Sequence, residues 1–123
     1  MATHDYDISN QTASQARADI NDVLEAIVTN NSSTSQPATR FANMFWFDTT
    51  NNQLKIRNSS NNAWVTIGEV DSNNRFVHVI GSWEVSQDSS NNLKFSYSGT
   101  GKAKLSSSGN LTVAGNVTAY GTI

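Results

Sequence analysis

The chain has 123 residues, enough for one ordinary domain or for a few small modules that each bury little surface. Only 37% of the residues are apolar and Asn, Ser and Thr are in excess, so either much of the chain stays unfolded or its strands find their core against another chain; three Trp, five Phe and three Tyr in strand-like runs favour the second. A net charge of -2 with basic residues scattered singly argues against a nucleic-acid partner, and the lack of cysteine excludes disulfides and thiolate metal sites.

The chain opens on the polar run "ATHDYDISNQ", without the charged and apolar stretches of a signal peptide. No segment is apolar for long enough to span a membrane, so membrane insertion is not expected and synthesis in the cytoplasm is. His4, Asp5 and Asp7 read as a polar, mobile terminus.

The first periodic element is a helix within residues 1–30, because Ala13, Ala16, Ile20, Val23, Leu24 and Ile27 recur at spacings of three and four. Thr12 and Gln15 fit a capping box at its start. A helix of this length is marginal alone, so its stripe must meet something. Heptad-like spacing makes Ala16, Ile20, Val23, Leu24 and Ile27 the candidate interface of a short parallel helix cluster. Packing of the same stripe on the chain's own sheet is an equally open destination. Residues 31–40, polar and carrying the only proline, Pro37, read as a linker.

From Phe41 the period changes to two, and "NMFWFD", "LKIRN" and "AWVTIG" predict a meander within residues 41–81, with Asn51-Asn52 and Asn61-Asn62 at its turns. Phe45, Phe47, Leu54, Ile56 and Trp64 are its expected core, and Lys55 and Arg57 share the opposite face of the second strand. "NNRFVHVI", "SWEVSQ", "NNLKFSYS", "KAKLS" and "NLTVAG" continue the scheme of Asn-rich turn and short strand, with no period strict enough for a solenoid family. Residues 82–123 form a Gly- and Ser-rich string of strandlets.

Little in the sequence points to catalysis. Asp48, Glu69, Asp71, Glu84 and Asp88 fall mostly at strand ends and turns, where solvated acids are ordinary, and neither His4 nor His78 belongs to a nucleophile motif. No enzyme activity, cofactor or metal is expected; three symmetry-related His78 rings meeting on an axis are the one metal arrangement to weigh, and an exposed histidine is the commoner outcome. Trp46, Trp64 and Trp83 are the residues a sugar-binding platform would use, although aromatic side chains more often build cores and interfaces.

The stretches "QARADINDVLEAIVTNN" and "FANMFWFDTTNNQLKIRNSSNNAWVTIG" resemble the N-terminal region of bacteriophage tail-fibre and related tail proteins, notably of phages of marine bacteria. "WEVSQDSSNNLKFSYSGTGKAKLSSSGNLTVAGNVTAYGTI" is similar to the start of a fibre shaft. The resemblance implies a mainly β chain with one N-terminal α-helix, assembled as an elongated, intertwined homotrimer with a short helix cluster, a β-meander and a β-strand shaft. It further implies a structural protein of the virion, docked by its N-terminal region on another tail protein (adaptor, nozzle or baseplate). A host surface glycan is the further partner this implies, with receptor or carbohydrate binding as the second function and glycan depolymerisation as the third. The end at Ile123 is then either an interrupted shaft or a contact of a short fibre.

Overall fold

A computed structural model describes residues 4–118. The closing residues of the expected shaft, Ala119 to Ile123, lie outside the described part. The protein is mainly β with one N-terminal helix: α1 (Ala13–Val28), then β1 (Phe45–Asp48), β2 (Gln53–Arg57), β3 (Trp64–Val70), β4 (Phe76–Ile80), β5 (Trp83–Gln87), β6 (Leu93–Tyr97), β7 (Thr100–Leu105) and β8 (Leu111–Val113). The chain forms two compact units, Met1–Glu69 and Val70–Ile123.

In the first unit α1 starts as its sequence dictates. The Thr12 hydroxyl accepts from the Gln15 N–H, and the Gln15 side chain accepts from the Thr12 N–H at 3.1 Å. The helix stops at an Asn-built Schellman motif: Asn30 takes a φ of 50°, its N–H donates to the Ile27 carbonyl, and the Asn31 N–H donates to the Ala26 carbonyl at 2.7 Å. Asn31 then acts as a hub. Its Nδ2 donates to the Phe45 carbonyl, and its Oδ1 accepts the Tyr6 hydroxyl.

The N-terminal arm is not the mobile terminus that its polarity suggests. His4 Nε2 lies 2.7 Å from Asp19 Oδ1 on the helix, and the Tyr6 ring meets Phe41 edge-on with centroids 6.0 Å apart.

β1, β2 and β3 form an antiparallel meander, with Phe45 opposite Ile56 and Ile56 opposite Val65. That register separates two faces. Phe45, Phe47, Leu54, Ile56 and Val65 point one way; Trp46, Asp48, Lys55, Arg57 and Trp64 point the other. Contrary to the sequence expectation, Trp64 lies on the face opposite Phe45, Phe47, Leu54 and Ile56, so these five residues do not form one core. A seven-residue strand with apolar groups on both faces carries no parity signal, and cover, not composition, decides which face is inside.

The cover is the segment 31–40. Ser33 bridges to Asp48 at the free edge of β1, exchanging backbone hydrogen bonds with Phe47 and Thr49. Further on, Gln36 Oε1 accepts the Trp64 indole N–H at 2.8 Å, and the Arg40 carbonyl accepts Asn61 Nδ2 at 2.9 Å. Pro37, between those anchors, is fully buried. The expected linker is thus a strap fastened to both sides of the meander.

In the second unit β4 to β8 pair in chain order, every pair antiparallel. Asp71, Asp88 and Ser106 open equivalent wide turns. In each, the opening side chain accepts from the backbone N–H four residues on, at 2.9 to 3.0 Å, and the fourth residue (Asn74, Asn91 or Gly109) takes a positive φ. Tight two-residue turns at Gly81-Ser82 and Ser98-Gly99 close the other ends. The second interval is one residue longer than the first, because Lys102 is an extra residue in β7 at a bulge opposite Phe95 and Ser96. A two-strand repeat is therefore present where the sequence reading finds no strict period, and a single bulged residue is what hides it.

Candidate functional site

The register of the second unit sorts its side chains into a polar face and an apolar face. Ile80, Trp83 and Tyr97 lie side by side in one row, His78, Val85, Phe95, Ala103 and Val113 in the next, and Gln87, Leu93, Leu105 and Leu111 in a third. This face carries no Lys, Arg, Asp or Glu within the paired strands. The opposite face holds Glu84, Ser86, Lys94, Ser96 and Lys104.

Burial runs against that chemistry. Among the described residues of this unit only Val77 and Ser96 are buried, while Ile80 keeps 57% of its surface, Trp83 45% and Leu111 64%. Trp83 and Tyr97 meet edge-on with centroids 5.2 Å apart, a paired aromatic ledge on the open side. Contiguous apolar surface of this kind marks an interface.

The first unit has two open apolar features of its own. On α1, Ala26 is buried, and Ala16 and Val23 are half-buried towards the flank that carries Asp19. Ile20, Leu24 and Ile27, at i, i+4 and i+7, stay exposed, as does Val28. The helix stripe thus splits: Ala16 and Val23 turn towards the chain's own packing, and Ile20, Leu24 and Ile27 turn outward. On the meander, Phe45 and Val65 remain exposed, with Phe47, Leu54 and Ile56 half-buried.

The strapped face of the meander is a closed cluster. Trp46 is 6% exposed and tilts against Trp64 with ring centroids 5.3 Å apart. Lys55 sits over the Trp46 ring and donates to Asp48 Oδ2 at 2.7 Å, and Arg57 sits over Trp64. Burial alone pushes the Asp48 carboxyl up, but the Lys55 ammonium and the Asn51 amide and N–H hold it below its ordinary value. Lys55 and Arg57 are therefore not simple solvent-side residues, and Trp46 is not available as a sugar platform.

Two of the candidate acids, Asp71 and Asp88, are spent on turns, whereas Glu69 and Glu84 lie within β3 and β5. Asp71 is held below the ordinary carboxylate value by the Arg75 N–H, the Asn73 N–H and the Arg75 guanidinium. Asp88 is lowered by the Asn92 side chain and N–H, the Ser90 N–H and the charge of Lys104. His78 lies on the apolar face, opposite Val85, with its side chain exposed. Among the described residues no group of three or more His, Cys, Asp or Glu side chains is placed to hold a metal ion, and no helix is long and apolar enough to cross a membrane.

One feature escapes the sequence reading. Lys94 lies directly opposite Lys104, and with Lys102 these side chains line a cavity of about 330 Å³ on the polar face. The signal is the register, since Lys102 and Lys104 alternate along β7 and Lys94 joins them only when β6 and β7 pair. Compared with known proteins, the chain matches no family model, no curated protein and no solved structure.

Proposed function

We propose that the protein is a structural component of a phage virion: a homotrimeric tail fibre comprising the tail-attachment end and the beginning of the shaft. The observation that carries this reading is the open apolar face of β4 to β8. A unit of this size with only two buried residues among those described lacks a core of its own and calls for a partner. A second and third copy are the partners always present in stoichiometric amount, and identical uncharged faces meet without desolvating a charge. Three such sheets around an axis would place the Trp83, Phe95 and Leu93 rows inside and Glu84, Lys94 and Lys104 outside.

In the same assembly the outward stripe of Ile20, Leu24 and Ile27 supplies a helix seam. Residues 1 to about 68 form the attachment end on another tail protein, and the strands from Trp83 onward form the shaft. The role is architectural, with no reaction assigned. The resemblance to phage tail proteins in "FWFDTTNNQLKIRNSSNNAWVTIG" supplies the virion context.

Sedimentation equilibrium tests the assembly: a mass of three chains is expected at micromolar concentration, and a mass of one chain would overturn it. Labelling this chain on particles tests the location, since an antibody against it should decorate the tail in electron micrographs. Receptor or carbohydrate binding is the second reading, favoured by the Trp83–Tyr97 ledge. Acrylamide quenching separates the two, being strong for an open sugar platform and weak for a buried trimer face.

A further inference from the structure

Three cations of this chain have fixed side-chain partners: Lys55 is paired with Asp48, Arg75 with Asp71, and Arg57 donates to Asn61. Lys94, Lys102 and Lys104, three of the four lysines, are drawn together at one cavity, and among the described residues none of them makes an ion pair within 4.0 Å. Among the described lining residues Asp88 is the one carboxylate against these three lysines, and its oxygens accept from the Ser90 and Asn92 N–H groups and the Asn92 amide. The cavity therefore keeps a net positive charge in a chain that is acidic overall.

Two further features show that this gathering is built. Like charges directly opposite on one face of a sheet destabilise the pair, yet Lys94 and Lys104 are held in register. Gly101, in the neighbouring position of β7, makes room: a Cβ there would stand 3.3 Å from Lys94 Cε, so the Lys94 stem lies across the strand in the space that the glycine leaves. A third lysine, Lys102, two residues before Lys104 on β7, lines the same cavity. Thr112 and Ala114 complete the wall, adding a hydroxyl and an apolar surface.

We propose that this cavity binds an anionic substituent of a saccharide, a carboxylate, sulfate or phosphate, with the lysines neutralising the charge and the lysine stems, Thr112 and Ala114 contacting the sugar ring. Ammonium groups act as point charges and do not demand the planar geometry that arginine reads, so the three anions share one site chemistry. A single cavity of this size suits one compact charged group. Nucleic acid would instead require cations along a track of successive phosphates. The site deepens the fibre reading and rests on it only for the count: a trimer carries three such cavities on the polar, outward side, which raises avidity for a polymer with a repeated charge.

Isothermal titration of the full chain at low salt tests this, with a trigalacturonate as the probe and its methyl ester and inorganic phosphate as controls. Trigalacturonate is expected to bind and the ester is not. Lys94→Gln with Lys104→Gln should weaken binding by about tenfold or more while leaving the fold as stable or more stable, because the substitutions also remove a repulsion. Binding that survives the double substitution unchanged, or equal binding of the ester, would overturn the site. So would no binding of trigalacturonate at all. Phosphate binding as tightly as the trisaccharide would overturn the saccharide assignment. Sedimentation of the same samples keeps the two ideas apart: one chain lines the whole cavity, so a monomer that binds would remove the trimer and leave the site.

Discussion

The two units are built from the same kind of antiparallel meander and differ in what covers it. The first carries a strap and the second does not. Residues 31–40 cross the Trp46 side of β1 to β3 and close it, so that a face holding two indoles, two cations and a carboxylate becomes interior. In β4 to β8 no described segment plays that part, and a face with no charge at all is left open. Polarity alone therefore does not decide which face of a thin sheet becomes its inside. Cover does, and where the chain supplies none, the proposed trimer would.

The largest test of that contrast is a charge on the uncovered side. Phe95→Asp should abolish assembly and unfold the second unit, because a carboxylate would be desolvated in every copy. A mutant that keeps the mass and circular dichroism of the parent would show that the face is not an interface. Trp46→Ala probes the covered side and should cost about 3–5 kcal/mol in urea melts, the usual toll for a large buried aromatic. An effect below about 1 kcal/mol would mean that the strap closes over nothing essential.

Lys55→Ala should cost about 3 kcal/mol, since it leaves the Asp48 carboxylate buried without its cation. The effect should be concentrated there, with Lys102→Ala, exposed in the second unit, close to neutral.

Acid provides a smaller and more diffuse test. The pKa values of Asp48, Asp71 and Asp88 are all depressed in the fold, so their contribution is present above the ordinary carboxylate value and is lost as pH falls through the depressed values. Melting temperature should therefore hold above about pH 4 and fall below it. Asp71→Asn with Asp88→Asn should flatten that fall while keeping the turns, because Asn58 already performs the same capping through its amide oxygen. The smallest expected effect is Gly109→Asn, within about 0.5 kcal/mol, since Asn74 and Asn91 occupy the equivalent left-handed position in the sister turns.

Much of this architecture can be derived from the residues. The capping box at Thr12, the three- and four-residue spacing of α1 and the period-two strands each rest on local chemistry, and the fold keeps them. What escapes derivation depends on partners distant in sequence. The strap looks like a linker because its anchors are backbone groups and amides, which leave no apolar pattern; only the Pro37 ring is hydrophobic enough to betray burial. The assignment of Trp64 to the Phe45 face fails because the sequence specifies alternation and not which parity is covered. The helix stripe divides for a related reason: Asp19 lies on its flank, and the His4 contact that makes that flank an inside comes from an arm with no periodicity. The lysine cavity needs the β6–β7 register, because Lys94 reaches Lys102 and Lys104 only across that pairing.

The repeat that begins at Asp71 has a consequence for heredity. Each unit contains two strands, one wide turn and one tight turn, so a tandem duplication of one unit returns the chain to the same margin, the same direction and the same facing of its side chains. Length can then change by whole units through unequal copying of a short stretch of coding sequence, without a compensating substitution elsewhere.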